Sequence, residues 1–201
     1  MFVDCKKVIR KLITAILFMC FFGSLLGSVT ARAAEDLEVA TECLFVVPPE
    51  FEPGRELGFF EHLNMPMESS SIRYNVYSNG KDKVLTNREK KLAEEADGKV
   101  ILDESQNLTK EIFEESLSNA YNAKYGADVS YKVSSFENIK IDGFKGYRIG
   151  ATFQASGEER VYQTTYIILS KYKTFTITYQ RAEDDDCQEL FDMSEKTIHI
   201  R

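Results

Sequence analysis

Apolar and polar residues change rhythm three times along the chain. Lys6, Lys7, Arg10 and Lys11 come first, then an apolar run from Leu12 to about Val29, then Ala31-Arg32-Ala33. A basic start, an apolar middle and small residues at the end form the pattern of a secretion signal, which predicts a signal peptide over residues 1–33 with cleavage after Ala33. The competing expectation is an uncleaved membrane anchor, because residues 12–29 approach the roughly 20 apolar residues that span a bilayer. Leu17 and Cys20 have the interval of a lipoprotein signal, but Met19 stands where such signals carry a small side chain.

Residues 34–42 are polar and read as a short tail, and residues 43–201 read as a single domain. CLFVVPPEF reads as a strand halted by Pro48-Pro49, since proline cannot donate to a ladder. LGFFEHLNMP and SIRYNVYSNG follow as strands. The second sets Ile72, Tyr74 and Val76 against Arg73, Asn75 and Tyr77 before the Asn79-Gly80 turn. Between residues 81 and 107 the chain is polar. Thr86, Glu89 and Gly98 bracket a short surface helix there, and VILDE adds a short strand.

NLTKEIFEESLSNAYNAKYG carries the helical period. Phe113, Leu117, Ala120 and Tyr121, with Ile112 beside them, form one apolar stripe. Thr109 is placed to cap its start, Leu108 and Phe113 to staple it, and Gly126 to end it. Asn107-Leu108-Thr109 is also a glycosylation sequon, which matters only in a eukaryotic host. The period then drops to two. VSYKV, ENIKI, YRIGATFQA, RVYQTTYIIL and KTFTITYQ are separated by Asp142-Gly143, Ser156-Gly157 and Lys171-Tyr172-Lys173, which predicts an antiparallel meander. In the last of these strands Phe175, Ile177 and Tyr179 face one side, and Thr174, Thr176, Thr178 and Gln180 the other.

Charge narrows the set of partners. The formal net charge is −7, and cleavage after Ala33 removes five basic residues and one acid, leaving the exported chain more acidic still. Phosphate repulsion argues against nucleic acid, and a membrane enters only if the signal stays uncleaved. An envelope protein or a small ligand remains as partner.

Candidate chemistry is sparse. QRAEDDDCQELFDM places Asp184, Asp185 and Asp186 together as candidate metal ligands. Calcium loops need acids at alternate positions around a glycine, whereas adjacent acids point in different directions. The same acids suit a helix start, with Asp186 and Glu189 as a capping box. Cys43 and Cys187 survive cleavage and are either one disulfide or two buried thiols. His62 and His199 lie in strand-like surroundings. A Cys187–histidine nucleophile is formally available, but Glu183 to Asp186 and Glu189 oppose a thiolate there. Acids suffice for a two-carboxylate hydrolase, yet no spacing picks out a pair. Eight tyrosines from Tyr121 to Tyr179 either line a ligand groove or serve as strand residues. No hydrolase, zinc, Walker or dinucleotide fingerprint occurs, and no cofactor is implied.

The order of elements, with PPEF early, LTKEIFEESLSNAY before the meander and IDGFKGYRIGATF within it, resembles the PsbP-like fold over about residues 43–200. That family includes lumenal extrinsic proteins of photosystem II, a eukaryotic Ran-binding release factor and many exported bacterial proteins. The resemblance implies an α+β domain in which an antiparallel sheet of six or seven strands is flanked by helices. It transfers no functional residue, and a bacterial-type export signal stands where a photosystem subunit would carry plastid targeting. The expectation is therefore an exported, non-enzymatic binding or accessory domain of the cell envelope. The alternatives are a secreted hydrolase with paired carboxylates and a membrane-anchored structural protein.

Overall fold

Strand propensity and turn chemistry decide most of the architecture. The structure is a computed structural model, and its described residues are 38–63, 70–78 and 108–201. The signal, the helix expected near residues 86–98, the VILDE strand and Asn107 lie outside them. Among the described residues the chain runs β1 (Cys43–Leu44), β2 (Phe51–Pro53), β3 (Phe59–His62), β4 (Ser71–Ser78) and α1 (Lys110–Tyr125). It continues through β5 (Lys132–Ile141), β6 (Phe144–Gln154), β7 (Arg160–Leu169), β8 (Lys173–Ala182), α2 (Gln188–Glu195) and β9 (His199–Ile200), where the helix labels count described helices only. Seven strands form one antiparallel sheet in the order β2-β3-β4-β8-β7-β6-β5, and β1 pairs with β9 in a second, small sheet.

The meander from β5 to β8 follows from its turns. Asp142 and Gly143 join β5 to β6 with φ of 49° and 95°, the pair of positive values that a two-residue I′ hairpin turn requires. VSYKV and ENIKI, expected as two strands, contribute to one. β5 begins at Lys132 and absorbs the polar serines in a bulge between Val133 and Ser135, where Gly150 N–H donates to Ser135 Oγ at 3.1 Å. CLFVVPPEF, expected as a strand halted by Pro48-Pro49, forms strand before the prolines only at Cys43–Leu44, and β2 begins after them at Phe51. The expected tail is also part of the fold from Glu38 on. Ala40 is buried and its N–H donates to Ser170 Oγ at 2.9 Å, while Lys171 N–H donates to the Glu38 carbonyl at 2.9 Å.

Because side chains alternate across a strand, the sheet has two distinct faces. Face A carries Ile72, Phe175, Ile177, Tyr179 and Ile168, covered by residues 40–47, by β9 and by α2 through Phe191. Face B carries Val133, Tyr147, Ile149, Phe153 and Ile167, covered by Phe113, Leu117, Tyr121 and Tyr125 of α1. α1 is capped as its sequence implies. Thr109 Oγ1 accepts from Ile112 N–H at 3.3 Å, and Gly126, at φ 72°, donates its N–H to the Asn122 carbonyl. Ile112, grouped with the stripe, is exposed. No helix among the described residues is long and apolar enough to cross a membrane.

Candidate functional site

The acidic stretch resolves into three different environments. Asp185 is buried, and one of its oxygens, Oδ2, accepts from the Ser70 hydroxyl and from Ala182 N–H. Asp186 is exposed. Asp184 is exposed too, and its contact with Glu159 raises the Glu159 carboxyl above its usual value. The expected capping box does not form: α2 starts one residue later, with Cys187 at the cap position and no side-chain capping bond. The cause is Asp185, which turns inward to close the 182–185 loop and so sets the helix start. An open groove lies beside it, lined by Arg181, Glu183, Asp185, Asp186, Gln188 and Glu189. Among the described residues no three His, Cys, Asp or Glu side chains are placed to hold a metal ion.

The remaining candidates occupy structural positions. Cys43 and Cys187 are free thiols buried in the face A core. They attach at different points of β4 and its approach: the Cys43 backbone bonds the Tyr74 side chain, and Cys187 lies against Ser70. Burial pushes the Cys43 thiol up to about 12 and raises Cys187 as well, so neither is poised as a thiolate. His62 packs edge-on against Phe51 at 5.1 Å between ring centroids, and His199 Nδ1 lies 3.1 Å from Asp142 Oδ2. Tyr121 of α1 stacks on Tyr125 and Tyr131, and Phe153 packs against all three rings. Tyr166 and Tyr179 meet edge-to-face in the other core. Tyr166 OH also donates to Glu195 Oε2 at 2.8 Å, and Arg148 Nε donates to Tyr166 OH at 2.8 Å, which fastens the last turn of α2 to the sheet.

The arrangement that sequence reasoning did not single out lies on face B, next to α1. Where α1 covers β5 and β6, the face is apolar. Across β4, β8 and β7 it becomes a grid of hydroxyls and amides set in register. One row runs Ser71, Gln180, Gln163, the next Arg73, Thr178, Thr165, and then Asn75 faces Thr176 and Tyr77 faces Thr174. This grid is not a solvated surface. Gln163 and Thr165 are only 5% and 6% exposed, Ser71 and Thr174 are also buried, and the rest are half-buried.

Buried polar atoms need partners, and part of the grid supplies its own. Gln163 Nε2 donates to Tyr121 OH at 2.6 Å and to Gln180 Oε1 at 2.8 Å, while Thr165 and Thr178 share a hydrogen bond at 3.2 Å. Arg73, the grid's charged residue, reaches Glu56 at 2.9 Å and lies over the Phe59 ring at 4.6 Å. The sequence signal was present in the alternation of β4 and β8, both of which keep one side free of aliphatic residues.

No protein-family model matches the chain, and no curated protein matches it. Among solved structures it is similar to the cyanobacterial PsbP (CyanoP) of Synechocystis sp. PCC 6803, with a TM-score of 0.50 and 16% identity over 88% of this chain and 99% of that one. A protein of Bacteroides thetaiotaomicron matches with a TM-score of 0.40 and 11% identity, over 84% of this chain and 49% of that one. The fold is therefore PsbP-like and α+β, and at 16% identity the likeness is one of fold.

Proposed function

We propose that this chain is an exported, non-enzymatic binding domain of the cell envelope whose ligand sits on face B over β4 and β8. One observation carries the reading: three adjacent strands put hydroxyls and amides in a half-buried position where aliphatic side chains would stabilise the fold more. Desolvating such a group costs about 1–3 kcal/mol unless a hydrogen bond compensates it. Gln163, Thr165, Thr178 and Gln180 offset that cost through bonds to one another and to Tyr121, whereas Asn75 and Thr176 have no such bond among the described residues and are left for a ligand. The apolar run and Ala31-Arg32-Ala33 support export. The buried thiols, and the histidines engaged with Phe51 and Asp142, support a role without bond chemistry.

The test is an amide-resolved NMR titration of the exported protein with size-fractionated envelope extract. Resonances of Arg73, Asn75, Thr176 and Thr178 are expected to move first. Perturbation confined to the 183–189 groove or to β5 would place the site elsewhere and overturn the assignment.

A further inference from the structure

We infer that the polar face takes a neutral saccharide, with Asn75 and Thr176 as its first hydrogen-bonding contacts, an inference that rests on the binding reading above. Asn75 and Thr176 are register partners across β4 and β8 and are half-buried. Neither side chain has a hydrogen bond or ion pair among the described residues, yet their polar atoms remain within reach of solvent. A carboxamide and a hydroxyl each donate and accept, as a sugar hydroxyl does, so the match needs no charge on either side.

The other ligand classes fit less well. An anion would meet a chain of net charge −7, and the cation beside the pair, Arg73, is already engaged by Glu56 and Phe59. A cation would find no carboxylate in the grid. An apolar ligand would bury Asn75 and Thr176 without partners, at a cost that such burial always carries.

The probes are cellotetraose, maltotetraose and tetra-N-acetylchitotetraose, with trigalacturonate as the anionic control, each titrated to millimolar concentration into the labelled exported protein. At least one neutral sugar is expected to shift the β4 and β8 amides saturably. Asn75→Ala with Thr176→Val should then weaken it about tenfold or more, the effect of two lost hydrogen bonds, with the melting temperature unchanged. Thr176→Val alone keeps the β-branched shape, so a fold defect in the double variant stays recognisable. Equal binding by the variant, shifts elsewhere, or a response to trigalacturonate alone overturns the inference. If the neutral sugars leave β4 and β8 unmoved while envelope extract moves them, the saccharide fails and the binding reading stands; if the extract also leaves them unmoved, both fail.

Discussion

The Ser70 hydroxyl donates to a carboxylate oxygen of Asp185, 115 positions further along the chain, and that same oxygen also receives the Ala182 N–H. One buried acid thus ties the approach to β4 to the loop before α2. Asp185→Ala leaves both donors buried without an acceptor and is expected to cost about 2 kcal/mol, read from urea unfolding midpoints. Asp184→Asn and Asp186→Asn, on exposed side chains, should each stay within about 0.5 kcal/mol. Equal effects at all three positions, or a calcium-induced rise in melting temperature, would contradict this division of labour.

Asp142 links the β5–β6 turn to the last strand. Its carboxyl is held below the usual carboxylate range, first by the Ile200 N–H and then by His199. The folded state therefore binds this proton less tightly than the unfolded chain. The resulting stabilisation is complete above about pH 4 and disappears as pH falls through the lowered folded value. Asp142→Asn, which tolerates the positive φ, should melt earlier than the parent near neutrality. The two melting curves should converge once pH has fallen below the lowered folded value, where both side chains are uncharged. A difference that persisted in acid would point to geometry instead of charge.

The two cysteines should behave as interior hydrophobes. In a folded chain of residues 34–201 neither is expected to react with a thiol reagent on the minute scale, because burial raises both above their ordinary value. Two equivalents should appear at once on denaturation without reductant. None appearing would mean that the pair is bonded.

Thr109 offers a local check on α1. Its side chain accepts from Ile112 N–H, and Thr109→Ala is expected to destabilise by about 1 kcal/mol in thermal or urea unfolding. Because α1 covers the Tyr121–Gln163 contact, the same variant should also broaden NMR signals from Gln163 and Gln180.

Much of the scaffold could be read from local signals. The period of two in β4, β7 and β8, the Asp142-Gly143 turn and the Thr109 and Gly126 caps each depend on residues close in sequence, and the structure has them where expected. What could not be read depends on contacts made at long range. Asp185 and Asp186 are chemically alike, and Ser70, far away in the chain, joins the Ala182 N–H in holding Asp185 inward. The β4–β8 pairing likewise lays a strand from before α1 along the outer edge of the meander, and the polar grid exists only because of that addition. Threonines in β8 alone look like ordinary strand formers. Beside Arg73 and Asn75 they become a surface.

The backbone nearly closes on itself: the Arg201 carbonyl accepts from Thr41 N–H at 2.6 Å and from Glu42 N–H at 2.9 Å, and Arg201 N–H donates to the Glu42 carbonyl at 2.9 Å. Residues 41 and 42 are therefore backbone neighbours of residue 201, so a link across them has little distance to span. A circular permutant that joins residue 201 to residue 38 through a brief linker and opens at the exposed Ser156-Gly157 turn should keep the sheet intact. Its new ends at residues 156 and 157 would then accept a fusion or a label without disturbing the pairing of Thr41 and Glu42 with Arg201.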